Sequence, residues 1–142
     1  DLKIFTGIAS LPHFNPDLEQ PTPPETITQF RGLLRSADAI LICTPEYAMG
    51  VPGSLKNAID WTVSSCEFSK KPTALITASS LGHKGHHSLM ETLRVIEANV
   101  TDDTNLIISY IKTKVSPTGE ITDPATKEKV LHIMSALTAL TN

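Results

Sequence analysis

The stretch Ala39 to Val63, AILICTPEYAMGVPGSLKNAIDWTV, constrains the fold of this chain more than any other. Ile40, Leu41, Ile42 and Cys43 form an unbroken apolar run, the pattern of a strand buried on both faces of a parallel sheet. The run stops at Thr44, and Gly50, Pro52 and Gly53 break the connection that follows. A helix is predicted to start between Pro52 and Leu55, because proline is tolerated in a first helical turn. Leu55, Ala58, Ile59, Thr62 and Val63 recur at helical spacing and mark its inner face. Strand, Gly/Pro loop and helix make half of a doubly wound unit. Such sheets bind ligands outside the carboxyl ends of their strands, so Thr44 to Pro52 is the first candidate site.

The same logic extends along the chain. Leu2 to Thr6 reads as a strand. LPHFNPDLEQPTPPE is an irregular connection whose Leu11 and Phe14 plug the edge of the core. Thr22 and Glu25 have capping-box spacing, and the helix behind them is expected to bury Ile27, Phe30, Leu33 and Leu34 before ending near Ser36 or Ala37. Thr73 to Ala78 is a second short buried strand, opening into the small-residue segment SSLGHKGHH. A helix with Leu89, Leu93, Ile96 and Val100 on one line follows, then a strand from Asn105 to Ile111. Asp123 is placed to cap a last helix with Pro124 in its first turn, burying Val130, Ile133, Met134, Leu137 and Leu140. Alternating strands and helices imply an α/β fold with a parallel sheet and helices on both faces.

Composition narrows the function. A chain of 142 residues is long enough for a single domain, 1–142, with a real core. Its net charge of −3 comes without a Lys/Arg cluster, which argues against nucleic acid and anionic membrane as partners. No apolar run reaches membrane-spanning length. Two cysteines make no disulfide framework and suit a reducing cytoplasm; Cys43 is expected in the core, and Cys66 as an ordinary thiol. His83, His86 and His87 invite a metal reading. Their spacing is not that of a zinc helix, and adjacent His86 and His87 diverge on a helix, so a structural or solvent-facing role is favoured.

TPEYAMGVPGSLKNAIDW, Thr44 to Trp61, resembles the signature of the NADPH-dependent FMN reductase family, which includes FMN, quinone, chromate and azo-dye reductases. The resemblance implies a flavodoxin-like, doubly wound parallel sheet of three layers, with strand order 2-1-3-4-5. The four strands read here correspond to strands two to five. The first, central strand, with its phosphate loop and helix, is not in the sequence and is expected upstream of Asp1.

The resemblance also implies bound FMN, with NADPH or NADH as donor and a small-molecule electron acceptor. Thr44, Pro45, Glu46, Tyr47 and Ala48 would run beside the ribityl chain and ring, with Tyr47 as an aromatic wall. Ser79, Ser80 and Gly82 would approach the pyrimidine edge, where small residues let the backbone come close. Tyr47 and His83 would face the substrates, His83 meeting a donor phosphate or an anionic acceptor. No side chain is assigned as catalytic, because the flavin carries the chemistry.

Two departures stand out: Ala48 replaces an Asn common in relatives, and His86 follows Gly85 where paired glycines are usual. Glu46 is expected as an exposed carboxylate or an interface ion pair, Lys56 and Asn57 as helix-surface or packing groups, and Trp61 as a subunit contact or substrate wall. The implied activity is a ping-pong NAD(P)H oxidoreductase acting as a homodimer or homotetramer. The alternatives are a flavodoxin-like electron carrier, for which −3 is only mildly acidic, a metal-dependent hydrolase, and a cofactor-free interaction domain.

Overall fold

The computed structural model describes residues 1–142. Its sheet has three strands, β1 (Ile40–Thr44), β2 (Thr73–Ala78) and β3 (Asn105–Ile108), all parallel and in that spatial order. Ile42 pairs with Leu75 and Thr44 with Thr77; Ile76 pairs with Leu106 and Ala78 with Ile108. Four helices accompany the sheet: α1 (Glu25–Ser36), α2 (Gly53–Asp60), α3 (His83–Val95) and α4 (Pro124–Ala139). The parallel α/β character follows the predicted alternation, and the first two sheet strands match their predicted ranges closely.

Helices cover both faces. Ile40, Ile42 and Leu75 meet Ile59 of α2, Phe68, and Leu89 and Leu93 of α3 in one cluster. On the opposite face Ala74, Ile76 and Ile108 meet Ile133 and Leu137 of α4. The central strand β2 therefore buries residues on both sides, which is why TALITA reads as continuous rather than alternating. A third cluster, Leu11, Ile27, Phe30, Ala58 and Trp61, ties α1 and the N-terminal segment to α2. Each Ile, Leu or Phe among them, fully buried, contributes on the order of 1.5–3 kcal/mol. Asp123 caps α4 as expected, its Oδ2 accepting the Thr126 N–H at 2.8 Å, with Pro124 in the first turn.

Several expectations are corrected. Leu2 to Thr6 forms no strand; it is largely exposed, and only the Phe5 ring finds a partner, in Phe30 at 5.0 Å. A strand pattern becomes a strand only where a neighbour takes its N–H and C=O groups, and no sheet strand lies beside this one. Cys43 is exposed rather than in the core. It lies on the face of β1 away from α2 and α3, and α4 lies over β2 and β3, not over this edge strand. The predicted strand to Ile111 ends at Ile108, where the chain turns. Thr22 and Glu25 form no capping box; Pro24 holds the cap position without a side-chain bond. Leu33 and Val63 are about half exposed, whereas Arg31 is buried in the α1 face. Its Nε donates to the Trp61 carbonyl at 2.6 Å, and its guanidinium pairs with Glu19.

Candidate active site

Three loops meet at the carboxyl end of the sheet: Thr44 to Pro52 after β1, Ser79 to Gly82 after β2, and Ser109 to Ile111 after β3. Parallel strands put them there, since every strand of such a sheet delivers its following loop to the same end. Tyr47 and Ser80 therefore lie on neighbouring loops.

The first loop is a tight turn. Tyr47 and Gly50 exchange both main-chain hydrogen bonds at 2.9 Å, and the residues between them, Ala48 and Met49, have φ of 49° and 64°. Two successive positive φ values mark a mirror-image hairpin turn, which usually takes Asn-Gly. Holding residues with a Cβ there costs roughly 1–2 kcal/mol each. The turn projects Tyr47 and Met49 into solvent, 63% and 74% exposed.

Glu46 turns the other way. Its Oε2 accepts the Gly85 N–H at 2.6 Å, placing a carboxylate in the first turn of α3. A negative group is stabilised there by the unpaired N–H groups and the helix dipole. This replaces the expected exposed carboxylate or interface ion pair: Glu46 is partly buried and clamps the first loop to α3. Gly85 makes the clamp possible. A Cβ at Gly85 would lie 2.7 Å from the Gly50 carbonyl oxygen and 3.1 Å from Glu46 Cγ. Thr44 is buried, with Oγ1 donating to the Pro45 carbonyl at 3.0 Å.

The second loop joins the first through Ser79 Oγ, which donates to the Glu46 carbonyl at 3.4 Å. Gly82, at φ 93°, starts α3, and a Cβ there would crowd Thr77 and Ile107 at 3.3 Å. The N–H groups of Ser80, Leu81 and Gly82 have no partner within the chain, while the Ser80 and Leu81 carbonyls are taken. The third loop takes them: Tyr110 N–H donates to Ser80 O at 3.0 Å, Ile111 N–H to Ser79 O at 3.2 Å, and Ser109 Oγ to Leu81 O at 2.7 Å. Tyr110 itself sits at φ 56° with its side chain largely exposed.

The histidines separate. His83 is exposed at the start of α3. His86 is buried against β2, its Nδ1 2.9 Å from Thr77 Oγ1, and burial pushes its pKa down. His87 is exposed, its ring plane turned 82° from that of His86, so the adjacent pair does diverge. No three His, Cys, Asp or Glu side chains converge to hold a metal. Trp61 is neither a subunit contact nor a substrate wall: it is fully buried, its Nε1 donating to the Pro12 carbonyl at 2.8 Å. Asn57 is a packing group, accepting the Phe14 N–H at 2.7 Å and donating to Pro12 O at 3.0 Å. Lys56 is on the surface and pairs with Asp60 four residues on.

The structure thus brings Thr44, Pro45, Glu46, Tyr47, Ala48, Ser79, Ser80 and Gly82 to one end of the sheet, with His83 at its margin. Met49, Leu81 and Tyr110 join them without having been singled out from sequence. Tyr110 was hidden by the expectation that its strand ran to Ile111; its signal is the same one that marks Tyr47, a polar-tipped ring just past a strand. Exposed side chains on all three loops and free main-chain donors on the second suit a flat ring with a hydrogen-bonding edge, the ring side of FMN. The first turn of α3 is taken by Glu46 and is not free for a phosphate.

Comparison with known proteins shows the family. A family profile described as NADPH-dependent FMN reductase matches residues 1–113. The chain is 34% identical to a quinone reductase of Escherichia coli, covering 98% of this chain and 76% of that protein. It is 32% identical to an NAD(P)H-dependent FMN reductase of Pseudomonas aeruginosa, covering 94% and 75%. Among solved structures, the flavoenzyme NAD(P)H:(acceptor) oxidoreductase FerB of Paracoccus denitrificans superposes with a TM-score of 0.76 at 26% identity, over 94% of this chain and 75% of FerB.

Proposed function

The chain belongs to the NADPH-dependent FMN reductase family, and from that membership we propose that it is an FMN-dependent NAD(P)H oxidoreductase reducing quinones, free flavin or similar small acceptors. The observation that carries the site is the convergence of the three carboxyl-end loops, with Tyr47 exposed beside the unpaired N–H groups of Ser80, Leu81 and Gly82.

Bound FMN would supply a two-electron acceptor and donor. The protein's part is to bind and orient. Thr44, Pro45, Glu46, Tyr47 and Ala48 would hold one side of the ring, with Tyr47 offering its face. Ser80 and Gly82, with Leu81 between them, would present free main-chain donors to the polar edge, and Ser79, whose own N–H is bonded to the Ile108 carbonyl at 3.1 Å, would fix the start of that loop. Tyr47 and His83 meet the donor and acceptor, which occupy one exposed surface in turn; a shared surface makes the cycle ping-pong. Glu46, spent on α3, positions the loop and moves no proton. In the same reading the protein works as a homodimer or homotetramer in the cytoplasm, a compartment that suits its two unpaired cysteines.

The test combines flavin content with turnover. The complete protein, with a phosphate loop, is expected to retain FMN and to oxidise NADPH or NADH steadily in the presence of a quinone. Tyr47→Ala is expected to weaken FMN binding or slow acceptor reduction by about three- to tenfold, the worth of one stacking contact, with the fold intact by circular dichroism. Flavin that is reduced without turnover would favour an electron carrier instead. Unchanged FMN content and turnover in Tyr47→Ala would remove Tyr47 from the site.

A further inference from the structure

Tyr110 is a bulky residue held in the left-handed region at φ 56°. Its neighbours leave the main chain little choice. Its N–H donates to Ser80 O, the next N–H donates to Ser79 O, and its own carbonyl accepts both the N–H and the Oγ1 of Thr113 at 2.9 Å. Glycine would meet all of these bonds without steric conflict, since it alone populates positive φ freely. The side chain itself does nothing visible for the fold: the residue is 62% exposed and the phenol hydroxyl has no partner in the chain. The ring is nonetheless fastened to the loop that carries the free donors, at the end of the sheet where Tyr47 is also exposed. A strained, exposed aromatic on a rigidly bonded loop is the kind of outlier from which function is inferred.

We propose that Tyr110 is a specificity-determining residue, an aromatic face that positions planar electron acceptors such as quinones at this site. The proposal rests on the oxidoreductase reading above. Its chemistry is stacking: a planar quinone gains by lying offset on a fixed ring, whereas a compact inorganic oxidant such as ferricyanide has no face to offer. The hydroxyl is incidental, so phenylalanine is a sufficient replacement.

The experiment compares Tyr110→Gly and Tyr110→Phe with the parent protein, each loaded with FMN. Tyr110→Gly removes the ring and relieves the backbone, so its thermal stability is expected to equal or exceed the parent's. Its selectivity for a planar naphthoquinone over ferricyanide, as the ratio of kcat/KM values, is expected to fall about three- to tenfold, through a raised quinone KM. Tyr110→Phe is expected to keep the parent's selectivity. Unaltered selectivity in a folded, flavin-loaded Tyr110→Gly would overturn the proposal, as would a loss of stability accounting for the change. A parent protein that reduces neither acceptor would overturn the oxidoreductase reading, and this proposal with it.

Discussion

Gly85 decides whether the first loop can close on α3. The Glu46 carboxylate reaches the first turn of α3 only because no Cβ stands between that turn and the Gly50 carbonyl. In Gly85→Ala the clash is with backbone, which cannot rotate away as a side chain tip can. The first loop must lift, lengthening a charge-assisted bond of 2.6 Å. Gly85→Ala is therefore expected to cost about 1–3 kcal/mol in denaturant unfolding and to reduce flavin retention. Unchanged retention would mean that the first loop does not touch the ring. Ala48 belongs to the same turn: it carries the left-handed strain without the side-chain amide that makes Asn tolerable there.

At the scale of elements, α2 does two jobs with one sequence. The half before it, PEYAMGVPG, shapes the site loop. The helix then buries Ala58 and Ile59, packs a partly buried Leu55 against the core, and uses Asn57 and Trp61 to hold the segment Pro12 to Phe14 by three hydrogen bonds. Phe14 closes the contact, its ring edge-on to Trp61 at 5.1 Å. Arg31 reinforces the far end, bonding the Trp61 carbonyl and pairing with Glu19, whose carboxyl is held below the usual range first by its Ser64 hydrogen bond and then by Arg31. Asn57→Ala would strand the Phe14 N–H. It is expected to cost about 0.5–1.5 kcal/mol and to raise hydrogen exchange selectively across residues 11–19, leaving the β2 amides protected. Exchange that rose evenly over the sheet would contradict a local clamp.

For the molecule as a whole, His86 makes stability depend on pH. On α3 it packs against Thr77 of the sheet, and burial lowers its pKa, with the charges of His87 and His83 adding to the shift. The folded state therefore holds its proton less tightly than the unfolded chain. Stability is at its full value above the ordinary histidine range near 6.5 and falls as pH drops through it, levelling once pH is below the folded value. Glu19 and Asp123, both lowered, act only in the lower carboxylate window. The denaturant midpoint is expected to fall between pH 7 and pH 5 in the parent and to fall less in His86→Gln. Equal slopes would place the acid sensitivity elsewhere.

Local pattern by itself determined the alternation of elements, the ranges of β1 and β2, the cap of α4 and the loop that matters most. Each of these rests on interactions within a few residues: apolar runs, Gly/Pro breaks, an Asp before a Pro. The pattern also identified Tyr47, Ser79, Ser80 and Gly82 as neighbours, because parallel strands leave no other end for their loops. Only the tertiary structure decided what depended on cover and pairing. Leu2 to Thr6 has the composition of a strand but no strand beside it, and Cys43 has the setting of a core residue but no helix above it. Glu46 and Gly85 lie 39 residues apart, so the carboxylate that caps α3 from another loop left no trace in local sequence. The same holds for Trp61 and Asn57, whose partners at Pro12 and Phe14 lie beyond any helical period, and for Tyr110, whose position is set by the bonds that its loop donates to the Ser79 and Ser80 carbonyls.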